Sequence, residues 1–79
     1  MIDIEKKIKK IISVQLGKKI EKISRKSSYV KDLEADSLDM IEFVMNLEEK
    51  FKINIPDEDM QYIKTIEDTI KYIKSKIVN

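Results

Sequence analysis

Ile4, Ile8, Ile11, Ile12 and Leu16 recur at i, i+4, i+7, i+8 and i+12. That spacing draws one apolar stripe along an amphipathic helix. Lys6, Lys7, Lys9 and Lys10 fall largely off the stripe, where water can reach them. Gly17, the only glycine in the chain, predicts the helix end. From 18 to 35 the period weakens, and Ser24, Ser27 and Ser28 cluster. The segment reads as a long loop that lays Ile20, Ile23, Tyr29, Val30 and Leu33 on the core. Loops of this length in a small domain are uncommon and are often functional.

The period returns over 37–51, where Met40, Phe43, Val44, Leu47 and Phe51 repeat the helical spacing. Lys52-Ile53-Asn54-Ile55-Pro56 then breaks it. Ile53 and Ile55 alternate like a strand, but a single short strand has nothing to pair with, so an extended connector is expected. Pro56 followed by Asp57-Glu58-Asp59 predicts a short third helix over 57–63, with acids at the positive end of its dipole and Met60 and Ile63 buried. Thr65-x-x-Asp68 has the form of a capping box and opens a fourth helix carrying Ile66, Ile70, Ile73 and Ile77. The expected fold is all-α, a small bundle of three main helices plus one short helix with a long first loop, in a single domain over 1–79.

Within the second helix, periodicity also marks a second face. With Met40 set at zero and about 100° per residue, the core stripe lies within about 60° of zero, while Leu38, Ile41 and Met45 centre near about 130°. One small core cannot easily bury both stripes. Glu42, Glu48 and Glu49 flank the second. An exposed apolar strip rimmed by acids fits a partner surface with an apolar groove and Lys or Arg around it. The plainer alternative is that Ile41 sits at the core boundary and the other two are incidental exposed apolar residues.

Composition narrows the chemistry. The chain has no Cys and no His, so it has no native thiol, no disulfide framework and no thiolate metal site. No apolar run approaches a membrane span, and lysines interrupt the first isoleucines, unlike a signal peptide. Charged residues make up 39% of the chain, yet the net charge is only +1. Residues 1–33 hold ten Lys/Arg and four Asp/Glu, a net of +6, whereas residues 34–79 hold six and eleven, a net of −5. Two faces of opposite sign follow.

Ser37 stands at the start of the second helix between Asp36 and Asp39. By itself, a serine beside an aspartate at a helix start is most often part of a cap, with Asp36 as N-cap and Asp39 at the N3 position. A phosphodiester on Ser37 would also suit the place, because free N–H groups and the dipole favour an anion there. Asp36 and Asp39 oppose that anion, and a basic partner would account for their presence.

Lys9-Lys10-Ile11-Ile12, Gln15-Leu16-Gly17, Tyr29-Val30-Lys31-Asp32-Leu33, Asp36-Ser37-Leu38-Asp39, Glu42, Val44-Met45, Leu47-Glu48-Glu49-Lys50-Phe51, Ile55-Pro56-Asp57-Glu58 and Tyr72-Ile73 run in order along nearly the whole chain. In this order the sequence resembles the acyl carrier protein of the dissociated, type II fatty acid synthase. The resemblance implies a non-catalytic carrier, with no catalytic residue and with Ser37 bearing a 4′-phosphopantetheine arm from coenzyme A. It implies that Asp36, Leu38, Asp39, Ile41, Glu42, Met45, Glu48 and Glu49 are read by partner enzymes. It also implies that Val30, Phe43, Val44, Leu47, Ile63 and Ile70 line the space where an acyl chain shelters. The implied partners are holo-acyl-carrier-protein synthase (a phosphopantetheinyl transferase), ketosynthases, malonyl transferase, reductases, a dehydratase and acyltransferases. A monomer is expected, cytoplasmic or in an organelle stroma if a targeting segment was removed.

The chain departs from the family pattern at three points. Glu34 stands where glycine is usual, the overall charge is near neutral where the family is acidic, and Lys50 and Lys52 replace acids at the end of the second helix. Lys31 and Lys52 also stand where a divalent ion would want carboxylates, so no metal is expected. A carrier for polyketide assembly or cell-wall alanylation is a close variant of this reading. A basic helical module contacting nucleic acid through Lys6, Lys7, Lys9, Lys10, Lys18, Lys19, Arg25 and Lys26 is a reading of a different class. Those residues include one arginine and no interleaved aromatics, so no nucleic-acid partner is expected.

Overall fold

The computed structural model describes residues 3–77. Helix α1 runs Ile4–Leu16 behind an Asp3 N-cap, whose carboxylate accepts from the Lys6 N–H at 3.0 Å. It ends where Gly17 turns to φ 66° and returns its N–H to the Ser13 carbonyl. A Cβ at Gly17 would meet nothing within 4 Å, so glycine is needed there for its backbone conformation alone. Helix α2 is Ser37–Phe51 and α3 is Ile66–Ile77. Two 3₁₀ turns, Ile20–Lys22 and Asp57–Tyr62, complete the described elements. The short helix read from the sequence is the second of these turns. It closes with i→i+3 bonds, Asp59 N–H to Pro56 O and Ile63 N–H to Met60 O, over a run of six residues, which is long for this tighter helix.

The long loop is more ordered than its weak periodicity implies. Asp32 and Leu33 both donate to the Ser28 carbonyl. This single coil puts Tyr29 and Leu33, four apart, on its inner side, and both are buried. Val30 is thereby turned outward and is 62% exposed, while Ile20 is 38% exposed. The expectation that both rest in the core is corrected on these positions. Ile23, Tyr29 and Leu33 alone of that set reach it.

The loop also closes the start of α3. Ile66 and Glu67 donate to the Ser27 and Arg25 carbonyls, while the Thr65–Asp68 capping box pairs the other two leading N–H groups. Behind it lies one core, with Ile8 and Ile12 of α1, Phe43 and Leu47 of α2, Ile66 and Ile73 of α3, and Tyr29 fully or almost fully buried. Tyr29 and Phe43 rings pack at 4.8 Å between centroids, tilted by 52°. The connector from Ile53 to Pro56 forms no strand, and Ile55 dips into the core.

Candidate functional site

Ser37 is the first residue of α2 and is exposed. The Asp36–Asp39 capping box is complete: Asp39 N–H donates to Asp36 Oδ1 at 2.9 Å, and Asp36 N–H to Asp39 Oδ2 at 3.1 Å. The two acids that seemed to oppose an anion are therefore held by the helix they start. Their presence does not require an outside cause. Two leading N–H groups of α2, those of Ser37 and Leu38, have no hydrogen-bond partner among the described residues, and neither does the Ser37 hydroxyl. This contrasts with α3, where all four leading N–H groups are taken. The open end of α2 offers donors and a positive dipole end beside a free hydroxyl.

The segment ahead of Ser37 is firmly set. Ala35 is buried and donates to Tyr29 O at 2.8 Å. Glu34 takes φ 60°, the left-handed conformation that suits glycine, and its carboxylate meets Lys18 Nζ at 3.1 Å. From the other side, Gln15 Nε2 donates to the Asp39 carbonyl at 2.6 Å, fastening α1 to the first turn of α2.

The proposed recognition residues divide when placed in three dimensions. Leu38, Ile41 and Met45 form an exposed apolar strip, at 65%, 48% and 60% exposure. Glu42 is exposed beside it. Glu48 is half-buried, and its Oε2 accepts the Ile55 N–H at 2.8 Å, so it pins the connector as well as carrying charge. Glu49 lines a different groove, between α1 and α2, among lysines.

The strip continues into an open groove of about 560 Å³ between α2 and the second 3₁₀ turn, walled by Val44, Ile55, Pro56 and Met60 and edged by Glu48 and Asp57. Phe43, Val44, Leu47, Ile63 and Ile70 are all buried in the core behind it, and Val44 joins core to groove. Val30, exposed on the loop, is not among them. Ile55 and Met60 are groove walls that the sequence offered only as core or connector residues, because their burial depends on how the connector folds back.

The family model for the phosphopantetheine attachment site matches residues 6–73. The chain belongs to the acyl carrier protein family. It is 50% identical over 76 residues to the acyl carrier protein of Buchnera aphidicola subsp. Schizaphis graminum (strain Sg), covering 96% of each chain. Its fold is similar to that of a solution structure from Anaplasma phagocytophilum, with a TM-score of 0.84 at 33% identity over 92% of this chain and 86% of the other. The carrier acts without catalysing, and its prosthetic group is 4′-phosphopantetheine. The open N-terminus of α2 fits that group's phosphodiester, since unpaired donors stand where the anion would lie. The arm, when attached, supplies the thiol that the chain lacks.

Proposed function

We propose that Ser37 is the phosphopantetheine acceptor and that the carrier presents acyl thioesters to the enzymes of fatty acid synthesis. The observation that carries this reading is the exposed Ser37 hydroxyl beside two unpaired N–H groups at the only serine-led helix start among the described residues. Ser37 anchors the arm, while Ala35 and the Asp36–Asp39 box hold its backbone. Leu38, Ile41, Met45 and Glu42 form the surface that the transferase, the ketosynthases and the other partner enzymes read. Glu48 contributes charge from the rim. Asp36 and Asp39 act on recognition chiefly by holding the helix start.

The acyl chain enters by the groove at Ile41, Val44 and Met60 and parts the side chains of Phe43, Leu47, Ile63 and Ile70 behind it. Met60 at the mouth is an adaptable packer. The carrier works as a monomer in the cytoplasm or an equivalent stroma. Incubation with a phosphopantetheinyl transferase and coenzyme A is expected to add one adduct by intact mass, and Ser37→Ala to abolish it. An adduct mapped to Ser24, Ser27 or Ser28 would overturn the assignment.

A further inference from the structure

A second groove, of about 600 Å³, lies between α1 and α2. Its apolar floor is Ile11 and Val14, and Val14 is 74% exposed. Lys10, Lys50 and Lys52 rim it, with Glu49 the one acid. An adjoining groove shares Lys10, Ile11 and Lys50 and adds Lys6 and Lys7, with Asp3 at its edge. None of these five lysines forms an ion pair among the described residues, where the bridging cations are Lys9, Lys18, Arg25 and Lys71.

The apolar strip on α2 has a matching shape. With Met40 at zero and about 100° per residue, Asn46 and Lys50 of this groove lie near about −100°, whereas Ile41, Glu42 and Met45 lie between about 100° and about 200°. Glu49 of the groove falls at about 180°, so the two surfaces adjoin along α2 rather than oppose. One rigid helix carries both, and a copy cannot cover its own groove with its own strip. Another copy can. We propose that the basic α1–α2 groove receives the Leu38–Ile41–Met45 strip of a second copy of this chain, in a weak head-to-tail contact.

Charge complementarity supports that occupant. Copies of a strongly acidic carrier repel one another, but here a net of +6 in residues 1–33 faces a net of −5 in residues 34–79, and opposite ends attract. Glu42 of one copy meets Lys10 and Lys50 of the next, while Ile41 and Met45 lie against Ile11 and Val14. The contact is heterologous and leaves a free groove and a free strip at the ends. It is smaller than the roughly 1,200 Å² of a stable interface, so it forms only in concentrated protein. There it competes with partner enzymes for the same strip, a consequence that rests on the recognition reading above. The contact itself needs no arm on Ser37, so uptake of phosphopantetheine by mass reads the carrier function separately.

The test is a concentration series of ¹⁵N-labelled parent protein followed by amide shifts. Shifts are expected to grow at both Ile11–Val14 and Ile41–Met45. They should vanish between about 0.02 M and about 0.5 M salt, as the Debye length falls from about 20 Å to about 4 Å. Lys7→Glu with Lys10→Glu, and separately Glu42→Lys, should each weaken association by about tenfold or more, and mixing the two variants should restore it. Lys22→Glu with Lys26→Glu makes the same charge change away from the groove and should leave it unaltered. Shifts confined to one face, none at all, or equal loss in that control would overturn the proposal. So would groove shifts that arise only with phosphatidylglycerol vesicles, which would assign the groove to a membrane. Should a variant unfold, the parent's shift map and salt series still decide.

Discussion

Glu34 is a glutamate held at φ 60° three residues before Ser37, the proposed acceptor. Left-handed backbone costs a residue with a Cβ roughly 1–2 kcal/mol, and the exposed pair with Lys18 returns little of it. The strain persists because Leu33 and Ala35 on either side are buried and fix the path between them. Glu34→Gly is therefore expected to raise stability by about 1 kcal/mol, seen as a melting temperature higher by about 4–8 °C in a domain this small. An unchanged or lower melting temperature would mean that the strain is relieved elsewhere. Two residues on, Asp36 shows how a charge that looked like recognition is claimed by the backbone. Its carboxylate is the N-cap of α2, and removing such a cap costs typically about 1 kcal/mol.

Helix α2 carries three duties on three sides, and its acids are not interchangeable. Glu42 makes no hydrogen bond among the described residues, whereas Glu48 holds the Ile55 N–H and so fixes the connector that walls the groove. Glu42→Lys should weaken ketosynthase or transferase binding and reduce its salt dependence without moving the melting temperature. Glu48→Lys should weaken binding and also lower stability, by about 1–3 kcal/mol for the orphaned N–H. Paired binding and thermal measurements separate them, and equal stability loss in both would refute the division. The helix ends at Lys52, whose φ of 57° does the work of a glycine without being one. Its stop signal in the sequence was the broken period, not the terminal residue.

The whole molecule is tied together through Tyr29. Thr69 donates its hydroxyl proton to the Thr65 carbonyl, so in the buried Tyr29–Thr69 bond the tyrosine donates. Burial pushes the Tyr29 phenol well above its ordinary value of about 10. Tyr72 is raised too, first by burial and then by its hydrogen bond to Asp59. Above that ordinary value the folded chain keeps protons that the unfolded chain has lost. Stability is thus fully present below about pH 10 and falls as pH rises beyond it. Urea midpoints taken across that range should decline, and Tyr29→Phe should flatten the decline while costing about 0.5–1.5 kcal/mol at neutral pH.

The same shared core is where the proposed function places the cargo. An acyl chain sheltered in it adds buried area worth about 25 cal/mol per Å² and is held by the folded state alone. Octanoyl protein should therefore melt above the unacylated holo form, and Val44→Phe, at the junction of groove and core, should shrink the gain. Equal melting temperatures of the two parent forms would place the cargo outside.

Local rules were enough for the helices and for placing Ser37 at a helix start. The isoleucine stripe, Gly17, the Asp36–Asp39 and Thr65–Asp68 boxes and the second apolar strip on α2 are encoded within a turn or two of chain. Periods and caps act over that distance, so α2 begins and ends where its pattern does. The loop and the connector obeyed contacts distant in sequence. Val30 faces water because Tyr29 is anchored on Thr69, forty residues away. The short helix tightened to a 3₁₀ turn. Glu48 became a strut for Ile55, and Glu49 came to share a groove with Lys10 of α1, Lys50 and Lys52. None of these outcomes has a local pattern, since each depends on which hydrogen bonds and apolar surfaces remain to be satisfied once the three helices have packed.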